Sequence, residues 1–505
     1  MLKKITILYS SQIYRAIIPL IFVPYTIGIL GAENYGLVSF FTMLIGLIGI
    51  LDAGIGSAFI KIVSTNRFNQ YSFQKVISLF LKVFFIFLII ACIIIVSFYF
   101  SSDYIVIGWL KTSINYPEAI YCIKLIGIIL SIMYLKSFVS SFINGMERQD
   151  ILALWGIIYT TLFYCGSYLA IKNVSNDLYT FFKIILFVSI LDFSIISFIW
   201  ILLVFFNIKL TKKKINETTQ FDKIADEFSL LKIAKFSLQL SGLSIIWIIA
   251  TQIDKVVLSK YLILEEYANY QIAAQLATTI SIFTVPLTQF LLPRLSVLYK
   301  DKNEKEFLRI YNISLFVFVA LLSPIIPYFF LFGDDIISLW IRSDLLGANI
   351  NGYAKWLIAA ALIAGIMNFV FIILYAQGKL KNHFYAYIIY SSLTIPLSVL
   401  IAKYYGAVIS AKFVFIHSLL FMIFWGGYCV HKLMNKFINF FALIFGGVFI
   451  LSTSIFYIFS NTKYITSVPI LDLFIPPLIN FFITLLIYFL VKRYIHLFFS
   501  KITLN

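Results

Sequence analysis

Residues Val76–Phe100 read VISLFLKVFFIFLIIACIIIVSFYF, an almost unbroken apolar run whose one charge is Lys82. A membrane-crossing helix needs about 20 such residues, whereas a barrel strand shows about ten residues of alternating character. This run has the helical length and no alternation, so it predicts a transmembrane helix. The rest of the chain has the same texture. Of its 505 residues, 62% are hydrophobic and 12% charged, and the mean hydropathy is +0.98. A soluble domain is about 45 to 50% apolar and about 25% charged. The composition therefore excludes a water-soluble protein and a large extramembrane domain, and predicts an all-α integral membrane protein. The four cysteines, Cys92, Cys122, Cys165 and Cys429, fall singly inside apolar runs, which gives neither a disulfide framework nor a zinc site. Arg15, Pro19 and Pro24 interrupt the first apolar stretch, so a cleavable leader is not expected there.

Runs bounded by charge, Gly and Pro give fourteen spans. The first six are Tyr9–Leu30, Leu37–Ile60, Val76–Phe100, Ala119–Ile143, Ile151–Ile171 and Lys183–Phe206. The other eight are Ile233–Ser259, Ala268–Leu292, Ile310–Phe332, Tyr353–Ala376, Phe384–Ala402, Ala407–Val430, Ile438–Phe459 and Ile470–Val491. Cytoplasmic loops are rich in Lys and Arg. With both termini inside, the inner segments hold 24 of the 39 basic residues, the outer loops 6 and the spans 9. That alternation supports the span count and places both termini in the cytoplasm. It also accounts for much of the +17 net charge, and no nucleic-acid partner is expected.

Two short matches recur at nearly one offset. Glu33-Asn34-Tyr35-Gly36 resembles Glu265-Glu266-Tyr267-Ala268, and Phe142-Ile143-Asn144-Gly145 resembles Tyr375-Ala376-Gln377-Gly378. Both fall at equivalent loop positions. The reading is a duplicated six-helix unit: an N-lobe over residues 1–206, a cytoplasmic linker over 207–232, a C-lobe over 233–432, and two further helices with a tail over 433–505. An even number of helices per copy gives parallel repeats, an arrangement found in transporters. The linker is lysine-rich, and its expected role is an orientation signal and tether.

Ionisable side chains near the middle of a span cost about 2.5 to 3.5 kcal/mol on insertion scales, so they face water, protein or each other. Arg15 in span 1 and Lys136 in span 4 lie at comparable depth. With Lys124 and Lys255 they are the candidate anion-binding cations. Asp52, Asp192 and Asp254 are the candidates for ion coupling or ion pairing: Asp52 as a moderator of a cationic cavity or a partner of Arg15, Asp192 as a proton acceptor or a partner of Lys124 or Lys136, and Asp254 beside Lys255. Thr42, Gly46, Gly49, Ala53 and Gly56 form a small-residue face on span 2 suited to close helix packing. Ser237, Ser241, Ser244 and Thr251 in span 7, with Gln271, Gln275 and Thr278 in span 8, predict faces turned toward protein or water. His417 reads as a hydrogen-bonded helix contact. The many Phe and Tyr residues read as lipid-facing bulk and interfacial anchors. No phosphate loop, metal spacing or nucleophile motif is present, so neither a catalytic residue, a metal site nor a cofactor is expected.

Leu30-Gly31-Ala32-Glu33-Asn34-Tyr35-Gly36, the segment Leu51–Ala58, Asn144-Gly145, and Gln252-Ile253-Asp254-Lys255 followed by Glu265–Tyr270 occur in an order that resembles the polysaccharide-transporter branch of the multidrug/oligosaccharidyl-lipid/polysaccharide exporter superfamily. Ala268 departs from it, standing where the family usually has Gly. The resemblance implies two lobes opening alternately to either side of a bacterial cytoplasmic membrane. It further implies outward carriage of an undecaprenyl-pyrophosphate-linked O-antigen or capsule unit, with spans 13 and 14 serving the polyprenyl tail. A monomer is expected, with membrane lipids and polysaccharide polymerase machinery as its partners. Na⁺ coupling, H⁺ coupling and drive by the membrane potential stay open. The competing readings are a flippase for peptidoglycan precursor, a multidrug exporter, and a membrane polymerase or ligase. The last is disfavoured by the short outer loops.

Overall fold

The computed structural model describes residues 2–52, 54–68, 70–212, 230–434, 437–461, 473 and 475–483. They are helical almost throughout; the β-type pairing among them is one isolated bridge between Lys111 and Ile263. Hydrocarbon offers no hydrogen-bond partner to the backbone, so helices that satisfy their own peptide groups are the form in which an apolar chain crosses it. Ten of the described helical stretches are long and apolar enough to do so, and the chain is a multi-pass all-α membrane protein. Each of the first thirteen expected spans falls on helix. Of the fourteenth, residues 475–483 are helical and most of the rest lies outside the described residues, as do linker residues 213–229 and the tail.

The chain divides into two compact units, Met1–Ala268 and Asn269–Asn505. The first holds α1 (Leu2–Leu30), α2 (Ala32–Leu51), α3 (Ile55–Asn66), α4 (Gln70–Asp103), α5 (Tyr116–Gly145), α6 (Gln149–Thr161), α7 (Ser167–Asn173), α8 (Leu178–Lys212), α9 (Leu230–Tyr261) and the start of α10 (Leu264–Thr278). π-Helical turns at Tyr104–Trp109 and Leu162–Gly166 extend α4 and join α6 to α7. The second unit holds the rest of α10, then α11 (Ser281–Lys300), α12 (Glu304–Leu322), α13 (Ile325–Ile341), α14 (Asp344–Ala376), α15 (Leu380–Phe421), α16 (Gly427–Met434) and α17 (Phe437–Asn461).

Three expected spans are interrupted. Span 2 breaks between α2 and α3, where Gly54 takes the left-handed conformation (φ 69°) that a side chain disfavours. The freed first turn of α3 is met by the Asp52 carboxylate, which accepts from Gly56 N at 3.1 and 3.3 Å. Span 8 breaks between α10 and α11, where the hydroxyls of Thr278 and Thr279 donate to the carbonyls of Gln275 and Leu276 and so compete with the helical ladder. Span 9 kinks at Ser323-Pro324, because proline lacks the amide proton that the ladder needs. Between spans 11 and 12, α15 consists of two helical segments that meet at a kink at Gly406 (φ 73°), and that residue lies at the expected loop.

In the first unit α5 is central, packed against α3, α4 and α8. Its phenylalanines do not face lipid, as a composition-based reading would have them. Phe138 is fully buried and stacks on Phe87 at 4.2 Å and on Phe80 at 4.8 Å. Phe59, Phe73, Phe142 and Tyr134 extend this cluster. Lipid tails are as apolar as the rings, so contact density and ring geometry hold the helices together here, with no contribution from exclusion of water. In the second unit α14 has the same central place, packed against α11, α13 and α15. Replacing Phe138 by Ala leaves a ring-sized void and is expected to cost about 3 to 5 kcal/mol. Thermal unfolding in detergent, compared with Phe100→Ala at a largely exposed position, checks this.

Candidate functional site

Four helices of the first unit, α1, α5, α6 and α8, bring together a group of charged and aromatic side chains. On α6, Trp155, Gly156 and Tyr159 occupy neighbouring positions on adjacent turns. From α8, Asp192 enters almost completely buried and meets Lys136 of α5, with Nζ to Oδ2 at 2.7 Å. Trp155 Nε1 donates to the other carboxylate oxygen at 2.7 Å, and Lys136 Nζ also lies 4.4 Å from the centre of the Tyr159 ring. A bare buried carboxylate is very costly. This one is compensated by a cation and an indole N–H, the condition under which a buried pair persists. The aromatic face of Tyr159 adds a further favourable contact for the ammonium.

Arg15 reaches the same place from α1. Its Cδ and Nη1 lie 3.3 Å from the position that a Cβ on Gly156 would take, so the guanidinium stem lies against bare α6 backbone. Tyr14 and Thr161 tie the same two helices through their hydroxyls at 2.6 Å. Arg15 is exposed, and among the described residues no carboxylate is within ion-pair distance of it. Two cations and one carboxylate leave the group one positive charge in excess, and Arg15 carries it at the accessible edge.

The other expected site residues lie elsewhere. Asp52 neither pairs with Arg15 nor joins this group; its carboxylate serves the first turn of α3. Lys124 lies 4.4 Å above the Tyr99 ring, twelve residues up α5 from Lys136. Lys255 donates to the Thr251 carbonyl of its own helix at 2.5 Å and approaches Asp254 at 3.9 Å. Of the two lysines open to Asp192, the structure selects Lys136. Gly46 and Gly49 face Gln252 and Ile248 of α9, in keeping with a close-packing face, although the break at Gly54 sends Gly56 toward Ser141 of α5 instead. His417 pairs with the Tyr390 hydroxyl. The side chains of Ser237, Ser241 and Ser244 lie outside the described residues. Among the described residues no group of three His, Cys, Asp or Glu side chains could hold a metal ion.

Trp155, Gly156 and Tyr159 were not singled out in the sequence. Their signal is position: aromatics with polar handles belong at the ends of a span, and these lie within one, on the turns that carry a glycine.

A family model described as polysaccharide biosynthesis protein matches residues 1–299. No sequence among curated proteins matches the chain. Among solved structures, the lipid II flippase MurJ in an inward closed conformation is similar with a TM-score of 0.71 at 17% identity, over 98% of this chain and 100% of that one. An inward-facing multidrug resistance MATE family transporter of the MOP superfamily gives a TM-score of 0.61 at 12% identity, over 84% and 96%. A MOP superfamily transporter from Pyrococcus furiosus gives 0.52 at 12% identity, over 85% and 96%. At these identities the likeness is one of fold.

If the Lys136 to Asp192 pair is structural, Asp192→Asn leaves the half-buried Lys136 ammonium without its carboxylate and lowers stability by about 1 to 3 kcal/mol. The double change with Lys136→Met is expected to recover most of the loss. Unfolding midpoints of the two single variants and the double variant in detergent decide this; a double variant no better than Asp192→Asn contradicts it.

Proposed function

The chain belongs to the polysaccharide biosynthesis protein family, and from that membership we propose that it is a flippase carrying a polyprenyl-pyrophosphate-linked oligosaccharide outward across a bacterial cytoplasmic membrane. The observation that carries this reading is Arg15, exposed on a membrane-spanning helix with no carboxylate within ion-pair distance among the described residues. A pyrophosphate cannot enter hydrocarbon bare, and a guanidinium presents a fork of donors suited to its oxygens. Lys136 is the second cation within the same group, held back by Asp192, so the site is basic without exposing two bare charges.

In this reading residues 1–206 and 233–432 are two six-helix lobes working by alternating access, residues 207–232 link them on the cytoplasmic side, and both termini lie in the cytoplasm. Lys124 and Lys255, held by Tyr99 and by the α9 backbone, belong to the flanks of the cargo's route. An inside-negative potential favours outward movement of an anion by about 2.3 kcal/mol per charge per 100 mV. That supports drive by the potential itself, and Asp192 and Asp254 are the carboxylates open to H⁺ or Na⁺ coupling. The protein acts as a monomer that passes its cargo to polymerase machinery, and it performs no catalysis of its own. Lipid II, the cargo named for the structural relative of highest similarity given above, is the second reading.

The test is flipping in proteoliposomes of a fluorescent polyprenyl-pyrophosphate glycan, with lipid II in parallel. The wild-type chain is expected to move the glycan, and Arg15→Gln to slow it by about tenfold or more, the loss of one charge-assisted contact. Arg15→Lys is expected to recover part of the rate. Movement of lipid II alone transfers the assignment to the second reading, and movement of neither refutes both.

A further inference from the structure

The loop between the π-helical turn Tyr104–Trp109 and α5 is short, extended and strongly held. Leu110 leaves the helix in an extended conformation, and Lys111–Ser113 then make two sets of bonds in opposite directions. Toward α2, the Glu33 carboxylate accepts from Thr112 Oγ1 at 3.1 Å, from Ser113 N at 2.5 Å and from Ser113 Oγ at 2.6 Å. Toward the turn between α9 and α10, Lys111 forms the parallel bridge with Ile263. Its carbonyl accepts from Leu264 N at 3.1 Å, and its Nζ donates to the Tyr261 carbonyl at 2.7 Å. Just before the loop, Trp109 Nε1 donates to Ser259 Oγ at 3.0 Å and Lys260 lies 4.9 Å from the Trp109 ring centre. On the far side Gly36 of α2 lies directly beneath Leu264, where a Cβ would collide with the Leu264 carbonyl.

We propose that residues 110–113 form a clasp that fastens the α9–α10 turn onto α2, that Glu33 is its fastening, and that the clasp must open in each transport cycle. The argument is one of connection. This loop is covalently part of one six-helix repeat, and the turn that it grips belongs to the other. A packed helix core needs no such grip, because its contacts are apolar and continuous. Here the loop's contacts are polar and directional, and three of them converge on one carboxylate. A bond set of this kind holds firmly when complete and is lost together when the carboxylate is withdrawn. The small residues fit the same role: Gly36 lets the turn approach to backbone contact, so the clasp closes fully or not at all. The inference rests on the alternating-access reading above, in which the two repeats part at this end to release cargo.

Two experiments in a background lacking Cys92, Cys122, Cys165 and Cys429 test it. Ser259→Cys places a thiol at a buried position under Trp109. An impermeant maleimide is expected to label it about tenfold faster when Glu33→Ala is added, the equivalent of losing one charged hydrogen-bond set; equal labelling rates overturn the clasp. If Glu33→Ala does not accumulate, Ser113→Ala removes one of the three donors and is read in the same way. Lys111→Cys with Ile263→Cys joins the bridge partners by a disulfide on oxidation with copper phenanthroline. The oxidised protein is expected to stop flipping the glycan and the reduced protein to resume. Equal rates in the two states show that the clasp need not open. Labelling needs no cargo, so it still decides the clasp if the wild-type chain flips nothing and the functional reading fails.

Discussion

Hydrocarbon supplies neither a hydrogen bond to a peptide group nor a dielectric to a charge, and the architecture follows from this pair of denials. At two of the helix interruptions, side chains take up backbone groups. The Asp52 carboxylate meets the first turn of α3, and threonine hydroxyls take up carbonyls at the end of α10. Charges obey the same rule. Asp192 is deep in the first unit only because Lys136 and Trp155 both reach it, and Lys124 rests on a tyrosine ring. Arg15, exposed and with no carboxylate within ion-pair distance among the described residues, departs from this pattern.

The membrane class and the positions of the spans were legible because they depend on composition summed over about 20 residues, which single substitutions barely alter. The interruptions were harder to see. Gly54 lies in sequence between Ala53 and Gly56 of the small-residue face, and its positive φ is what makes a joint there. The buried phenylalanines of α5 were misread for a related reason. In a membrane protein the inside and the outside are equally apolar, so Phe138, buried among rings, and Phe100, largely exposed, look alike in sequence.

The site was legible in its charges and opaque in its partners. Mid-span position marked Arg15, Lys136 and Asp192 as costly and therefore placed with purpose, and the pairing of Asp192 was left open between two lysines. Lys136 could be chosen only once α5 and α8 were seen to pack side by side. Asp52 was drawn toward Arg15 by depth alone, yet a carboxylate next to a helix start has a nearer partner in the backbone amides. Glu33 was noticed as part of a repeated motif. Its role at the loop emerges from residues about 80 positions away in the chain.

Gly156 has a consequence beyond letting two helices meet. The arginine stem lies 3.3 Å from the place that a Cβ would take, so the guanidinium packs against α6 as closely as bare backbone allows. A single added carbon there would press the stem outward by a few tenths of an ångström while leaving every ionisable residue in place. The seat of this cation is thus a matter of shape as well as of charge, fixed in part by the size of one otherwise silent neighbour.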